Sequence, residues 1–241
     1  MTWPLRPADN SCTCKVCGGA AAQFGACDVN QGGPPGAAPR PALGQEISYF
    51  RCESCGLIFT NQLDDWGRHD FAAYIYNEGY VEVDPDYVRD RPMANAQMLL
   101  NLLRTLPISH QPPLRLLDFG AGSGLLAQQL IAQGIEASSH DPYGLASALD
   151  LNNLPKHSYD VVCAFEVLEH SADQLDTLAQ LKSQLKPGGL AVISTLLQPY
   201  DIAQQRCNWW YCAPRNGHIT LFSASALTHA LNITGASSAR S

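Results

Sequence analysis

From residue 113 onward, short apolar runs alternate with segments of helical spacing. Leu114, Leu116 and Leu117 mark a buried strand over residues 114–119. A helix follows at about 123–133, with Leu126, Leu130 and Ile131 facing inward and Gly134 as its stop. A second strand covers about 135–140 and ends at Asp141, and a further strand covers 160–165. Leu175, Leu178, Leu181 and Leu185 recur at helical spacing behind Ser171, a residue type that caps helix starts. Lys186-Pro187-Gly188-Gly189 ends that helix, residues 190–195 form the next strand, and a last helix begins near Ser223. This alternation predicts an α/β fold, a mostly parallel sheet with helices on both faces.

The first half reads differently. Residues 46–51 suit a short strand, and 93–106 a helix with Met93, Ala96, Leu99, Leu100 and Leu103 on one face. Residues 28–44 are rich in Gly, Pro and Ala and read as a flexible excursion. Residues 61–91 are acidic and carry Tyr74, Tyr76, Tyr80 and Tyr87. Three regions follow: a cysteine-paired one at 1–60, a tyrosine-rich helical connector at 61–112, and the α/β core at 113–241.

Composition narrows the class. The chain has 241 residues, 46% hydrophobic and 15% charged, enough for one α/β domain with a small attachment. Residues 1–60 hold four basic and four acidic groups, 61–112 four and eight, and 113–241 seven and ten. No segment is basic, which argues against nucleic acid as a partner. No apolar run approaches the roughly 18 residues of a membrane span, and the N-terminus lacks a signal-peptide core. A cytoplasmic location is expected. Nine cysteines there point to metal or free thiols before disulfides.

The densest chemistry lies in Leu116-Leu117-Asp118-Phe119-Gly120-Ala121-Gly122-Ser123-Gly124. A buried strand that runs into a glycine turn and then a helix start is a nucleotide-type site, because glycines let a ligand approach the backbone. The spacing is G-x-G-x-G, and Asp118 in front of it repels a pyrophosphate and attracts an ammonium group. Asp141, 21 residues after Gly120, can accept both ribose hydroxyls. An amino-acid-bearing nucleoside fits better than a dinucleotide.

Cys14-Lys-Val-Cys17-Gly and Cys52-Glu-Ser-Cys55-Gly are paired C-x-x-C-G knuckles. Four thiolates at Cys14, Cys17, Cys52 and Cys55 can hold zinc tetrahedrally with no open position, a structural site. Cys12 competes with Cys14 at poorer spacing. Cys27 lacks a partner at knuckle spacing, Cys163 reads as core, and Cys207 and Cys212 as incidental. Trp209, Trp210 and Tyr211 precede a polar turn and His218, a setting for a small polar acceptor. His218 is the candidate general base, ranked above His170.

On the glycine run, His140-Asp-Pro-Tyr143, residues 159–170 and Leu185-Lys-Pro-Gly-Gly189, the chain resembles the class I S-adenosylmethionine-dependent methyltransferases over about 114–222. The resemblance implies a Rossmann-like core. Asp118, Gly120, Ala121 and Gly122 would hold the methionine part of S-adenosylmethionine and Asp141 its ribose, with Phe165 and Glu166 lining the methyl-transfer cleft. The Tyr74–Tyr80 region would fold over the cofactor as a lid. A third strand falls near 146–151, with 150–154 in reach of the adenine. The sheet would stop short of the family's last strands, leaving an edge that a homodimer could cover. The Cys₄ knuckles make the chain similar to zinc-containing sugar C-methyltransferases, which implies a small-molecule acceptor such as a sugar or sugar nucleotide. Arg215, Asn216 and Gly217 stand where that group carries a Tyr and a His-Glu pair. The competing expectations are an RNA methyltransferase that grips substrate with its knuckles, and a non-catalytic zinc-binding partner module.

Overall fold

A computed structural model describes residues 2–105, 113–143 and 150–235. Its strands are β1 (Ala21–Asp28), β2 (Glu46–Cys52), β3 (Ile58–Phe59), β4 (Arg115–Phe119), β5 (Glu136–His140), β6 (Tyr159–Phe165), β7 (Leu185–Ser194) and β8 (Thr220–Leu221). Its helices are α1 (Arg68–Tyr74), α2 (Tyr80–Val83), α3 (Asp90–Thr105), α4 (Leu125–Ile131), α5 (Gln174–Gln184), α6 (Ile202–Gln205) and α7 (Ala224–Ile233). The chain divides into two compact units. One gathers Met1–Asp84, Leu168–Ala179 and Thr195–Ser241, the other Pro85–Val167 and Gln180–Ser194.

The second unit holds the predicted parallel sheet. Four parallel strands run in the order β5-β4-β6-β7. β4 and β6 are buried almost throughout, as central parallel strands covered on both faces must be. Ala96 and Leu99 of α3 pack with Leu116, Leu126, Leu130, Val161 and Cys163. The chain leaves β4 for β5 on one side, and β6 lies on the other. The strand order therefore reverses at β4, and the carboxyl ends of β4 and β6 open the crevice where such sheets bind ligands. Among the described residues, β7 is an edge strand. The expected third strand falls mostly at 144–149, outside the described residues, and Leu151–Asn153 is a 3₁₀ turn.

Two local expectations change. The α5 cap is Asp173, not Ser171: Asp173 Oδ1 accepts the Asp176 N–H at 2.9 Å, three residues into the helix. The Ser171 hydroxyl instead donates to the Asp173 carbonyl at 2.8 Å. Leu185 already belongs to β7, pairing with Tyr159 before the ladder resumes at Val161–Leu190. Residues 186–189 bulge out between these pairs, with Gly188 at φ +78°.

The first unit holds an antiparallel sheet in the order β1-β2-β3-β8. Its core is aromatic and aliphatic, with Ile47, Tyr49, Phe50, Ile58, Phe59 and Phe222 buried. β8 joins this sheet through Ile58–Leu221 and Phe59–Thr220, so the segment after β7 belongs with the cysteine knuckles. Trp3, Trp66, Phe71 and Tyr74 stack in a cluster with neighbouring ring centroids 5.2–5.4 Å apart, and Tyr74 is spent there. Among the described residues, no helix is long and apolar enough to cross a membrane.

Candidate functional site

In the α/β unit, β4 delivers Asp118 to the foot of the glycine turn, 3% exposed. Its Oδ1 receives the Cys163 thiol at 3.7 Å, and its Oδ2 is buried with no hydrogen-bond partner among the described residues. Burial, with the Asp141 charge adding to it against the Cys163 hydrogen bond, raises the Asp118 pKa to about 7. Gly120, Gly122 and Gly124 all adopt positive φ, at +80°, +51° and +74°. A side chain at Gly120 would collide with Val167, and one at Gly122 would meet the Tyr87 ring at 2.7 Å. Tyr87, of the four tyrosines singled out in the connector, thus lies against the turn within this unit.

The turn spends its own N–H groups. Gly120 and Ala121 donate to the His140 carbonyl at 2.7 and 3.1 Å. Gly122 donates to Asp141 Oδ2 at 2.6 Å, and Tyr143 N–H donates to Asp141 Oδ1 at 2.7 Å. These bonds orient the Asp141 carboxylate, and each oxygen keeps a second lone pair for a hydroxyl. Phe165 ends β6 packed against the core. Glu166 turns the chain at φ +53°, rare for a residue with a side chain. Its N–H donates to Ser194, and the Ser194 hydroxyl donates to Glu166 Oε1 at 2.8 Å. Asp118, Gly120, Ala121, Gly122, Asp141, Phe165 and Glu166 are therefore gathered at the carboxyl ends of β4, β5 and β6.

In the other unit, the four knuckle sulfurs lie within 4.8 Å of one another. Cys14 approaches Cys55 at 3.6 Å and Cys17 approaches Cys52 at 3.4 Å. Val16 N–H points at Cys14 Sγ and Cys55 N–H at Cys52 Sγ, each at 3.4 Å. Gly18 and Gly56 take φ +69° and +76°, the turn that aims amides at sulfur. Burial alone would raise the Cys52 pKa. The Cys55 and Ser54 amides and the neighbouring thiols outweigh it and bring it down to about 7. Cys12 stays outside the cluster.

The same unit places His218 beside residues the sequence did not single out as a group. One ligand atom each from Glu169, His170 and His218 falls within a mutual 4.8 Å. The Tyr211 hydroxyl donates to Glu169 Oε1 at 2.5 Å. His218 Nδ1 faces the Tyr211 carbonyl at 2.9 Å, and His170 Nδ1 faces the Gly217 carbonyl at 3.1 Å. A carbonyl only accepts, so both Nδ1 atoms carry the proton and the basic lone pair of each neutral ring is on Nε2. Tyr211 and His218 rings are 4.1 Å apart, and the two imidazoles 5.0 Å. The signal available was the Glu169-His170 pair after β6, but its partner His218 is 48 residues away. Arg215, Asn216 and Gly217 act as scaffold. Arg215 donates to the Ile75 carbonyl at 2.8 Å, and Asn216 Oδ1 accepts the Gly33 N–H at 2.8 Å. Trp209 is buried, and Trp210 is exposed.

A family model described as a methyltransferase domain matches residues 87–237. The chain belongs to this family. A ubiquinone biosynthesis O-methyltransferase of Cereibacter sphaeroides is 36% identical over 102 residues, 34% of this chain and 41% of that protein. The protein of the same name from Rickettsia akari is 31% identical over 105 residues, 36% of this chain and 42% of that one. The match thus spans about two fifths of these relatives' length. A SAM-dependent methyltransferase structure from Archaeoglobus fulgidus is similar at 19% identity, covering 65% of this chain and 74% of that one, with a TM-score of 0.47.

Proposed function

We propose that the chain is an S-adenosylmethionine-dependent methyltransferase acting on a small-molecule acceptor of the sugar or sugar-nucleotide class. The observation that carries the cofactor reading is the buried Asp118 oxygen behind the glycine turn, which has no hydrogen-bond partner among the described residues and suits an ammonium group. Asp118, Gly120, Ala121 and Gly122 hold the methionine part, Asp141 the ribose, and Phe165 and Glu166 border the reacting end. The bound cofactor would supply a methyl group on a sulfonium. His218 is the catalytic base: its Nε2 takes the acceptor's proton, and the Tyr211 carbonyl at Nδ1 steadies the imidazolium that forms. Glu169 and Tyr211 orient this group. Cys14, Cys17, Cys52 and Cys55 hold a structural zinc, which their mutual spacing fits. The relatives' names favour a hydroxyl acceptor as the second reading, and the same base serves it. The balanced charge of residues 1–60 speaks against RNA.

The test pairs binding with turnover. Calorimetry with S-adenosylhomocysteine should give a clear isotherm that Asp141→Ala weakens severely, and unchanged affinity would sink the ribose assignment. His218→Ala should cut turnover about 100-fold or more on an accepted sugar nucleotide or phenol while S-adenosylhomocysteine still binds. Equal loss of binding and turnover would make His218 structural.

A further inference from the structure

Glu169, His170 and His218 meet in one place with the donor set of a metal centre. Glu169 and His170 close the 3₁₀ turn Leu168–His170, and His218 follows the turn Pro214–Asn216. One ligand atom from each lies within 4.8 Å of the others. Glu169 is fully buried and His218 is 7% exposed. All three belong to the unit that carries the knuckles.

Each ligand is held from behind. His170 Nδ1 donates to the Gly217 carbonyl at 3.1 Å and His218 Nδ1 to the Tyr211 carbonyl at 2.9 Å, which fixes both rings and puts the lone pair on Nε2. The Tyr211 hydroxyl donates to Glu169 Oε1 at 2.5 Å. Metal-bound imidazoles and carboxylates carry outer partners of this kind. The two segments are also pinned to each other. Ile219 N–H donates to the Glu169 carbonyl at 2.9 Å, and Gln174 Nε2 donates to the Ser171 carbonyl and the Thr220 hydroxyl, each at 2.6 Å. A Cβ at Gly217 would lie 2.9 Å from His170 Nδ1, so the backbone makes room for that ring.

We propose that Glu169, His170 and His218 form a second metal site, one that takes a single Zn²⁺ through the two Nε2 atoms and one carboxylate oxygen. Two imidazoles and a carboxylate suit zinc with three protein ligands and one position left for water. Bonds of ~2.0–2.2 Å place tetrahedral ligand atoms ~3.4 Å apart, a spacing that side-chain rotation reaches from the one observed. The doubly charged ion also balances the Glu169 carboxylate in its buried setting. The donors differ in kind from the four sulfurs of the knuckles. The ion occupies the Nε2 lone pair that the proposed base uses, so zinc here blocks turnover, whereas zinc in the knuckles does not. That consequence alone rests on the proposed catalytic role; the metal site does not.

The experiment is native mass spectrometry of the full chain, kept reduced and titrated with Zn²⁺ alone. The chain should take two ions. His170→Ala should lose one, and Cys14→Ser should lose the other. Tyr211→Phe, which removes only the outer partner of Glu169, should weaken the ion lost in His170→Ala about 10–100-fold. A readout without variants guards against misfolding: nitrogen-15 spectra of the histidine rings should show two Nε2 resonances shifting on zinc loading while their Nδ1 atoms keep their protons. One ion per chain, lost in Cys14→Ser and unchanged in His170→Ala, overturns the proposal. So does a second ion that survives His170→Ala and leaves the histidine resonances in place, which is zinc on the surface. Turnover separates the two readings. If both ions bind as described and turnover persists, the metal site stands and His218 is not the base.

Discussion

Asp118 carries a penalty that the bare fold does not relieve. Burial holds its pKa at about 7, above the ordinary 3.8, so folding favours the neutral acid. The sign follows from linkage. The folded chain binds this proton more tightly than the unfolded one, so Asp118 costs stability progressively as pH rises from 3.8 through 7. A ligand ammonium reverses the preference, because it needs the carboxylate. Affinity for S-adenosylhomocysteine should therefore climb with pH and level off above 7, falling roughly tenfold per unit below it. Asp118→Asn should bind weakly and flatten the profile, as calorimetry between pH 5.5 and 8 would show. A wild-type profile that is flat across that range would remove Asp118 from the cofactor site. Glu166 shows a second cost at residue scale, a left-handed backbone held by Ser194 where the chain leaves β6.

At the scale of elements, local rules and neighbouring turns compete. Ser171 and Asp173 both suit a cap, and the structure chooses Asp173 because its carboxylate reaches the third helical N–H. Asp173→Ala should cost about 0.5–2 kcal/mol in urea unfolding. The glycine turn links β4 to α4 through a backbone that only glycine adopts comfortably. Gly120→Ala combines φ +80° with a collision against Val167. It should displace the turn and abolish S-adenosylhomocysteine binding, while far-ultraviolet circular dichroism reports the sheet intact. Retained binding would show that the turn has slack that the packing does not suggest. The predicted strands and helices of the core were legible because each satisfies its own period. The bulge at 186–189 was not, since a Pro-Gly-Gly run reads as a stop whether or not the ladder resumes beyond it.

At the scale of the whole molecule, the chain leaves the α/β unit after β6 and again after β7, and its later segments complete the sheet of the knuckles. Loss of the zinc proposed for the knuckles should act on that sheet first. Chelation should speed amide exchange in β1, β2 and β3 while the buried β4 and β6 keep their protection, a difference measurable by hydrogen-exchange mass spectrometry. Uniform acceleration across both units would contradict this local role. The α/β class, the glycine turn with Asp118 and Asp141, and the Cys₄ knuckles were readable from sequence by itself. Each is set by residues a few positions apart or by a spacing that strand and helix periods carry along the chain. The grouping of Glu169, His170, Tyr211 and His218 came only from tertiary structure. Its members lie up to 49 residues apart, and β3–β8 pairing and burial of residues 211–218 bring them together. No local periodicity encodes a contact that chain packing alone creates.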